Sequence, residues 1–434
     1  MNSLIVITFI RREVNNSNLK MLLLYSTAIR FYYFIIFFAS FFNKKASLWL
    51  NGRKDCAFIR LKESIWFHFA SLGEFEQGRP VLEALRLKYP DDKLVITFFS
   101  PSGYEVRKNT LLADAVYYLP LDTAKNAREF LDAINPKIAV FTKYEYWYHF
   151  FNETNKRGIP LYVISGIFRP NQIFFKWYGG LHRKILGFVS HFFVQDEQSK
   201  QLLQNIGITN ADVSGDTRFD RVWENAKHPK AIPIIEEFKN NQKLFIAGST
   251  WPQDEKMVAT LAIQHPDWKF IFAPHEIKEE QIGKLTELLP INTAIKYSQL
   301  TTLYSPLTTH QILIIDNIGM LSSLYQYGDI AYIGGGFGAG IHNTLEAAAF
   351  GLPVIFGPEY SKFKEAKDLI AIQAGFSIAN ENELKGIVDT LINETAFYNN
   401  ARKKAGDYVT EHTGATRMIV DHIQKHLLLV SKRK

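Results

Sequence analysis

Cysteine is almost missing from this sequence: Cys56 is the only one in 434 residues. A single thiol excludes an internal disulfide framework and any zinc site built on two thiolates, and it fits a reducing compartment such as the cytosol. Also missing are an H-E-x-x-H pair, a G-x-S-x-G elbow, a Walker A loop and an Asp-x-Asp pair, so no metal is implied. There is no low-complexity tract and no short repeat, which removes the disordered and solenoid classes. What remains is a chain with 47% hydrophobic and 21% charged residues, ordinary globular composition, and a length that asks for two or three domains.

The formal charge of +7 points to a partner with phosphates: nucleic acid, a nucleotide or an anionic membrane surface. Residues 21–42 read MLLLYSTAIRFYYFIIFFASFF. As a helix this run is about 33 Å long, close to the hydrocarbon thickness of a bilayer. Arg30 makes a full span costly, by about 2.5 to 3.5 kcal/mol on insertion scales, so a helix lying in the interface is the alternative to a spanning one. Lys44, Lys45, Arg53 and Lys54 follow, which by the positive-inside rule puts the rest of the chain in the cytoplasm. Residues 1–20 read as a disordered or non-native extension, with Met21 a natural start, and 21–43 as a membrane anchor.

Beyond residue 63, short apolar strands alternate with amphipathic helices, the pattern of an α/β chain with parallel sheets covered on both faces. IWFHF (65–69), KLVITFF (93–99), AVYYLP (115–120), KIAVFT (137–142), PLYVISG (160–166) and HFFVQD (191–196) form one series of strands. KLFIAGS (243–249), KFIFAP (269–274), QILIID (311–316), IAYIGG (330–335) and LPVIFG (352–357) form a second. The expectation is two Rossmann-like domains, 50–222 and 223–410, with RVWENAKHPKAIPIIEEF as their connection and a C-terminal helix, 411–434, returning to the first. Two doubly wound sheets place a ligand cleft at their strand C-terminal ends.

The loops at those ends carry the chemistry. In FHFASLGEFEQGRP (67–80) a strand ends on small residues and a helix opens with Glu74, a candidate general base; the plain alternative is a first-turn acid facing the helix dipole. In AYIGGGFGAGIHNTLEAAAFGLPVIFGP (331–358) the glycines allow backbone to approach a ligand, Asn343 or His342 opens a short helix suited to phosphate, and Glu346 is placed to bind ribose hydroxyls or to cap that helix. Gly334, Gly336 and Ala339 formally match a dinucleotide fingerprint, but late in the sheet rather than at its first strand. Glu145 follows a strand among aromatics. Arg218 is a candidate phosphate ligand or an ion-pair partner of Asp216 or Asp220. Ser249 and Thr250 either donate to a donor phosphate or cap a helix, His275 is placed for a ligand, and His68 and His310 read as structural.

Taken together the motifs WFHFASLGE, TFFSPSGYE, YEYW, GDTRFD, GSTW, APHE and the segment from GGGF to HNTLEAAAFGLPVIFGP, behind an apolar anchor, resemble the 3-deoxy-D-manno-octulosonic acid (Kdo) transferase family from about Met21 to the C-terminus. The resemblance implies a GT-B fold, two Rossmann-like domains facing a cleft, with an N-terminal membrane-anchor helix. It implies Glu74 as proton acceptor, Glu145 and Arg218 as stabilisers of the transition state, and a CMP site at Pro274, His275, Ile318, Gly319, Met320, Asn343, Thr344, Leu345 and Glu346. Three positions depart from many members: no arginine precedes His275, and acids are replaced at Lys143 and Met320. The implied reaction is inverting transfer of Kdo from CMP-Kdo to the 6'-hydroxyl of lipid IVA in lipopolysaccharide biosynthesis, with no cofactor or metal and no nucleic acid. The implied place is the cytoplasmic face of the inner membrane, in contact with its lipids. The alternatives are another GT-B enzyme using a UDP-sugar, an NAD-linked oxidoreductase, and a non-catalytic membrane-anchored nucleotide- or sugar-binding protein.

Overall fold

The computed structural model of the chain describes residues 2–54, 57–302 and 307–431; Met1 and Cys56 lie outside them. The chain divides into two compact units, Met1–Arg218 with Gly414–Lys434, and Phe219–Thr413. The divisions fall a few residues from the expected boundaries at 222 and 410. The expected connection is itself folded: it falls largely within helices Thr217–Lys227 and Pro233–Lys239, and its apolar residues Val222, Ile232, Ile235 and Phe238 are buried in the core of the second unit. Charge and proline suggested a linker, but the apolar spacing within it is that of a packed helix pair.

The first unit begins with α1 (Asn2–Ala39), so helix continues through the stretch expected to be disordered. No glycine or proline interrupts residues 2–39, and nothing local stops the helix. A short α2 (Lys44–Asn51) follows, capped by the Asn43 side chain, which accepts from the N–H groups of Lys45 and Ala46. Then come β1 (Ser64–Phe69), α3 (Leu72–Lys88), β2 (Lys93–Phe98), β3 (Ala115–Tyr118), β4 (Pro136–Thr142), β5 (Leu161–Gly166), β6 (His191–Val194) and β7 (Ala211–Val213). They pair in parallel in the order β3-β2-β1-β4-β5-β6-β7. Every residue of β1 is buried, as a central strand covered on both faces requires. The C-terminal helix Ala415–Ser431 belongs to this unit, packing Ile419, Val420 and Ile423 into the core beside Ile65, Phe67 and Tyr162.

The second unit holds β8 (Leu244–Thr250), β9 (Lys269–Pro274), β10 (Ala294–Lys296), β11 (Ile312–Ile314), β12 (Ile330–Ile333), β13 (Val354–Phe356) and β14 (Gly375–Ser377), again all parallel, in the order β10-β11-β9-β8-β12-β13-β14. In each unit the chain fills one side of its first strand, in the second unit by placing β11 between β9 and the edge strand β10, and then crosses to that strand's other side. The reversal falls between β1 and β4 in the first unit and between β8 and β12 in the second. Ligands of doubly wound sheets bind at the carboxyl ends of the strands at such a switch point.

Candidate active site

At the switch point of the first unit, the loops after β1 and β4 deliver the two predicted carboxylates. Ser71 precedes α3 without capping it through its side chain. Glu74, in the first turn, reaches back instead, and its Oε2 accepts from the Ala70 N–H at 2.6 Å. That is the local helix-end contact expected of the plain alternative, yet it does not determine the charge state. Burial, and then the negative charge of Glu145, push the Glu74 carboxyl up to about 7, against the Ala70 hydrogen bond and the Lys143 charge, which pull it down. A carboxyl so placed exchanges a proton near neutral pH.

Glu145 sits in the turn that follows β4. The turn is made by Lys143 at φ 59°, and Trp147 opens the helix Tyr148–Lys156. The Glu145 Oε2 accepts from the Trp147 indole N–H at 2.9 Å and lies 3.4 Å from His68 Nε2. His68 is fully buried in β1, and burial holds its imidazole below the ordinary value, hence neutral. Thr97 Oγ1 accepts from the Trp66 indole at 2.9 Å, donates to the Phe67 carbonyl at 3.3 Å and lies 2.8 Å from His68 Nδ1, so both ring nitrogens of His68 have a polar partner. His68 is thus the buried, satisfied histidine that its place in the strand, on the same face as buried Trp66, leads one to expect, and one of its partners is Glu145.

Arg218 opens the helix after β7. Its Nε and Nη2 donate to Asp216 Oδ2 at 2.9 and 2.8 Å, and its backbone N–H donates to Asp216 Oδ1. Asp216 is 6% exposed and also accepts from Gln77 Nε2 at 2.6 Å. Burial opposes its ionisation, but the Arg218 charge and hydrogen bonds hold the Asp216 carboxyl below the usual carboxylate range. The ion-pair alternative for Arg218 is therefore real, and its partner is Asp216. Since the Arg218 side chain is 28% exposed, the pair orients a cation at the surface. Glu74 and Arg218 both act electrostatically on the Tyr144 phenol, and Lys143 acts on both Glu74 and Asp216. Glu74, Glu145, Arg218, Lys143 and Tyr144 thus form one charged neighbourhood.

The second unit's switch point carries the glycine loop. Ser249 adopts φ 53° at the end of β8, and Thr250 Oγ1, buried, donates to Glu255 Oε1 at 3.1 Å. The expectation that the glycines admit a ligand is corrected at two of them. A Cβ on Gly334 would lie 2.3 Å from the Ser249 carbonyl oxygen, and one on Gly336 would lie 2.6 Å from the Gly357 Cα. These glycines are required because three loop backbones pack on one another there.

Beyond the loop, Trp251, His275 and His342 stack in series, with ring centroids 4.7 and 4.5 Å apart, and the Trp251 indole donates to His342 Nε2 at 3.2 Å. Burial and the neighbouring His275 lower His342 to about 4, so it is the neutral acceptor. A cavity of about 480 Å³ beside this stack is lined by Trp251, Gly335, Phe337, Gly338, Gly340 and His342. That is ample for a small ligand, although none of the predicted CMP contacts lines it.

Of those contacts, Pro274 ends β9 and His275 follows it; Ile318 and Gly319 are exposed after β11, with Gly319 at φ 96°, and Met320 is partly buried against the unit's core. Thr344 and Leu345 are wholly buried, and the Leu345 N–H is already taken by Asn343 Oδ1 at 3.1 Å. The Asn343 amide donates to Glu346 Oε1 at 3.0 Å. The helix they open, Leu345–Ala348, is a single turn, too short to offer the phosphate the dipole expected of it. Among the described residues, His191, Asp212 and His422 bring metal-ligand atoms within 4.8 Å of one another. His191 begins β6, so this group lies at the strand end opposite Glu74.

A family model described as 3-deoxy-D-manno-octulosonic-acid transferase (kdotransferase) matches residues 43–221. The 3-deoxy-D-manno-octulosonic acid transferase of Chlamydia trachomatis serovar A is 27% identical over 342 residues, 76% of this chain and 78% of that protein. Its counterpart from Haemophilus influenzae is 24% identical over 379 residues, 84% of this chain and 87% of that protein. A bifunctional glycosyltransferase/methyltransferase of Fusobacterium nucleatum is 27% identical over 368 residues, 82% of this chain but only 57% of its own length. Among solved structures, the UDP-GlcNAc 2-epimerase of Neisseria meningitidis superposes with TM-score 0.60 at 16% identity, over 83% of this chain and all of that one. The calicheamicin glycosyltransferase CalG4 superposes with TM-score 0.54 at 11% identity, over 85% of this chain and 99% of that one. At such identities these structures speak for the fold alone, which with two parallel seven-stranded sheets is the GT-B fold behind an N-terminal apolar helix. By its family-model match over residues 43–221 and by these relatives the chain is similar to the 3-deoxy-D-manno-octulosonic acid transferase family.

Proposed function

We propose that this glycosyltransferase moves Kdo from CMP-Kdo to the 6'-hydroxyl of lipid IVA at the cytoplasmic face of the inner membrane, with inversion at the anomeric carbon. The acceptor hydroxyl gives its proton to Glu74 as its oxygen bonds to the anomeric carbon. The anomeric C–O bond to phosphate breaks, and the electron pair leaves with CMP. Glu145 stabilises the positive charge that gathers on the sugar ring, and Arg218, held in place by Asp216, stabilises the leaving phosphate. The loops carrying Ser249, Thr250, Pro274, His275, Ile318, Gly319, Met320, Asn343, Thr344, Leu345 and Glu346 would hold the cytidine nucleotide. No cofactor or metal is required by this chemistry.

The observation that carries the proposal is Glu74 itself, a carboxyl at a topological switch point, raised to about 7 by burial and by a like-charged neighbour. A general base works best with its pKa near the operating pH. The helix Lys20–Ala39 supports the membrane placement: it is long and apolar enough to cross a bilayer. One face, with Met21, Leu22 and Tyr25, packs on the first unit, and Leu23, Leu24, Phe31, Phe34 and Phe38 are exposed. A helix packed on one side and apolar on the other suits burial in the membrane interface.

The test is a nucleotide panel combined with Glu74→Gln. CMP should raise the melting temperature of both proteins and UDP should not, while the variant loses transfer by at least about a hundredfold. Stabilisation by UDP but not CMP would favour a UDP-sugar enzyme instead.

A further inference from the structure

A cavity of about 430 Å³ opens in the first unit between α1 and the carboxyl end of its sheet. Ala28, Ile29 and Tyr32 wall one side, and Phe99, Leu121 and Trp147 the other. Its buried carboxylate is satisfied within the protein. Tyr25 donates to Asp122 Oδ2 at 2.5 Å, and Asp122 accepts in addition from the N–H groups of His149 and Phe150 at 3.1 Å. A lining that is mostly apolar, with its one carboxylate already satisfied, suits hydrocarbon, and the volume lies within the ordinary range for ligand sites.

Two connections identify the occupant. At one end, Trp147 stacks on Phe99 with centroids 5.0 Å apart and donates its indole N–H to Glu145, so the cavity stops one side chain short of the carboxylate. Along its length runs α1, whose exposed Leu24, Phe31, Phe34 and Phe38 give the same helix the surface that would border lipid. A chain lying against α1 would pass from membrane toward the carboxylates without crossing water.

We infer that this cavity holds one acyl chain of the lipid acceptor and thereby sets the depth at which the acceptor's sugar meets Glu74. The inference rests on the proposed function in taking the acceptor to be a lipid. A bilayer phospholipid offers the same hydrocarbon, but only a lipid whose headgroup is the substrate gains from ending at Glu145.

The test uses the full chain in phosphatidylethanolamine and phosphatidylglycerol vesicles. One arm contains a tetra-acylated glucosamine disaccharide bisphosphate with a diazirine in an acyl chain, and the other contains phosphatidylglycerol carrying the same diazirine. After illumination and peptide mapping, the acceptor label should fall on Phe99, Trp147 or the Leu119–Leu121 segment and be displaced by unlabelled acceptor. The phospholipid label should fall on the exposed face of α1. Acceptor label confined to that exposed face, or equal labelling of the cavity by the phospholipid, would overturn the inference. In parallel, Ile29→Trp should lower the ratio of turnover on acylated to deacylated acceptor by about tenfold; an unchanged ratio in a folded variant would also overturn it. Because the labelling does not require Kdo transfer, displaceable cavity label without any transfer would sustain the cavity and count against the proposed reaction.

Discussion

If Glu74 is the base, the charge of Glu145 must be written into the pH dependence of transfer. Burial and then Glu145 raise Glu74 from 4.5 to about 7, and the Ala70 N–H and Lys143 oppose them. Glu145→Gln removes the second of the raising causes. A like charge at close range moves a carboxyl by on the order of one pH unit, about 1.4 kcal/mol. The acidic limb of kcat/KM, which reports the free enzyme, should lie near pH 7 in the unmodified chain and about one unit lower in Glu145→Gln. The plateau should also fall, because a transition-state contact is lost. Lys143→Met removes an opposing cause, so its limb should move the other way. Initial rates of CMP release from about pH 5 to about pH 9, with CMP affinity measured beside them, separate the base from donor binding. Limbs that stay together in all three proteins, or that move in the same direction in both variants, would refute the assignment of the limb to Glu74.

Other consequences are simpler. Glu74 binds its proton more tightly folded than unfolded, so it detracts from stability as pH rises from about 4.5 to about 7; Glu74→Gln should melt higher than the unmodified chain above that window while losing turnover. His342 has the opposite sign: lowered to about 4, it must be protonated against the fold, so stability should fall as pH drops from about 6.5 to about 4, and less so in His342→Gln. Arg218→Met leaves the buried Asp216 carboxylate short of a charged partner and should cost about 1 to 3 kcal/mol in denaturant unfolding, with Arg218→Lys recovering part of it. Gly334→Ala drives a methyl against the Ser249 carbonyl and should cost about 1 to 3 kcal/mol by the same measurement.

Much of the framework can be read from the chain because central parallel strands are continuous apolar runs, and KLVITFF, KIAVFT and KFIFAP give themselves away. The strands β7, β10 and β14 do not. Each has three residues, too few for a period; β7, β10 and β14 are also edge strands, where half the pairing and much of the burial are missing. Glu74 and Glu145 were visible as acids just after apolar strands, but so are Asp196 and Asp316, and the resemblance of their motifs to the family set the pair apart; what sets their charge was not legible. The nearness of Glu145 to Glu74, the contacts of Thr97 with Trp66 and His68, and the burial of Asp216 beneath Arg218 all depend on which strands are neighbours across the sheet. The glycine loop misled for the same reason: a run of glycines signals close backbone approach, but the partner here is other backbone.

The central claim is that this chain joins Kdo to a lipid acceptor with Glu74 as the base. Incubating the full chain with lipid IVA and freshly generated CMP-Kdo, then weighing the lipid by mass spectrometry, tests it most directly. The account predicts product heavier by one or more Kdo residues with the unmodified chain and almost none with Glu74→Gln. Unmodified lipid from an active, CMP-binding preparation, or equal product from the variant, would contradict it.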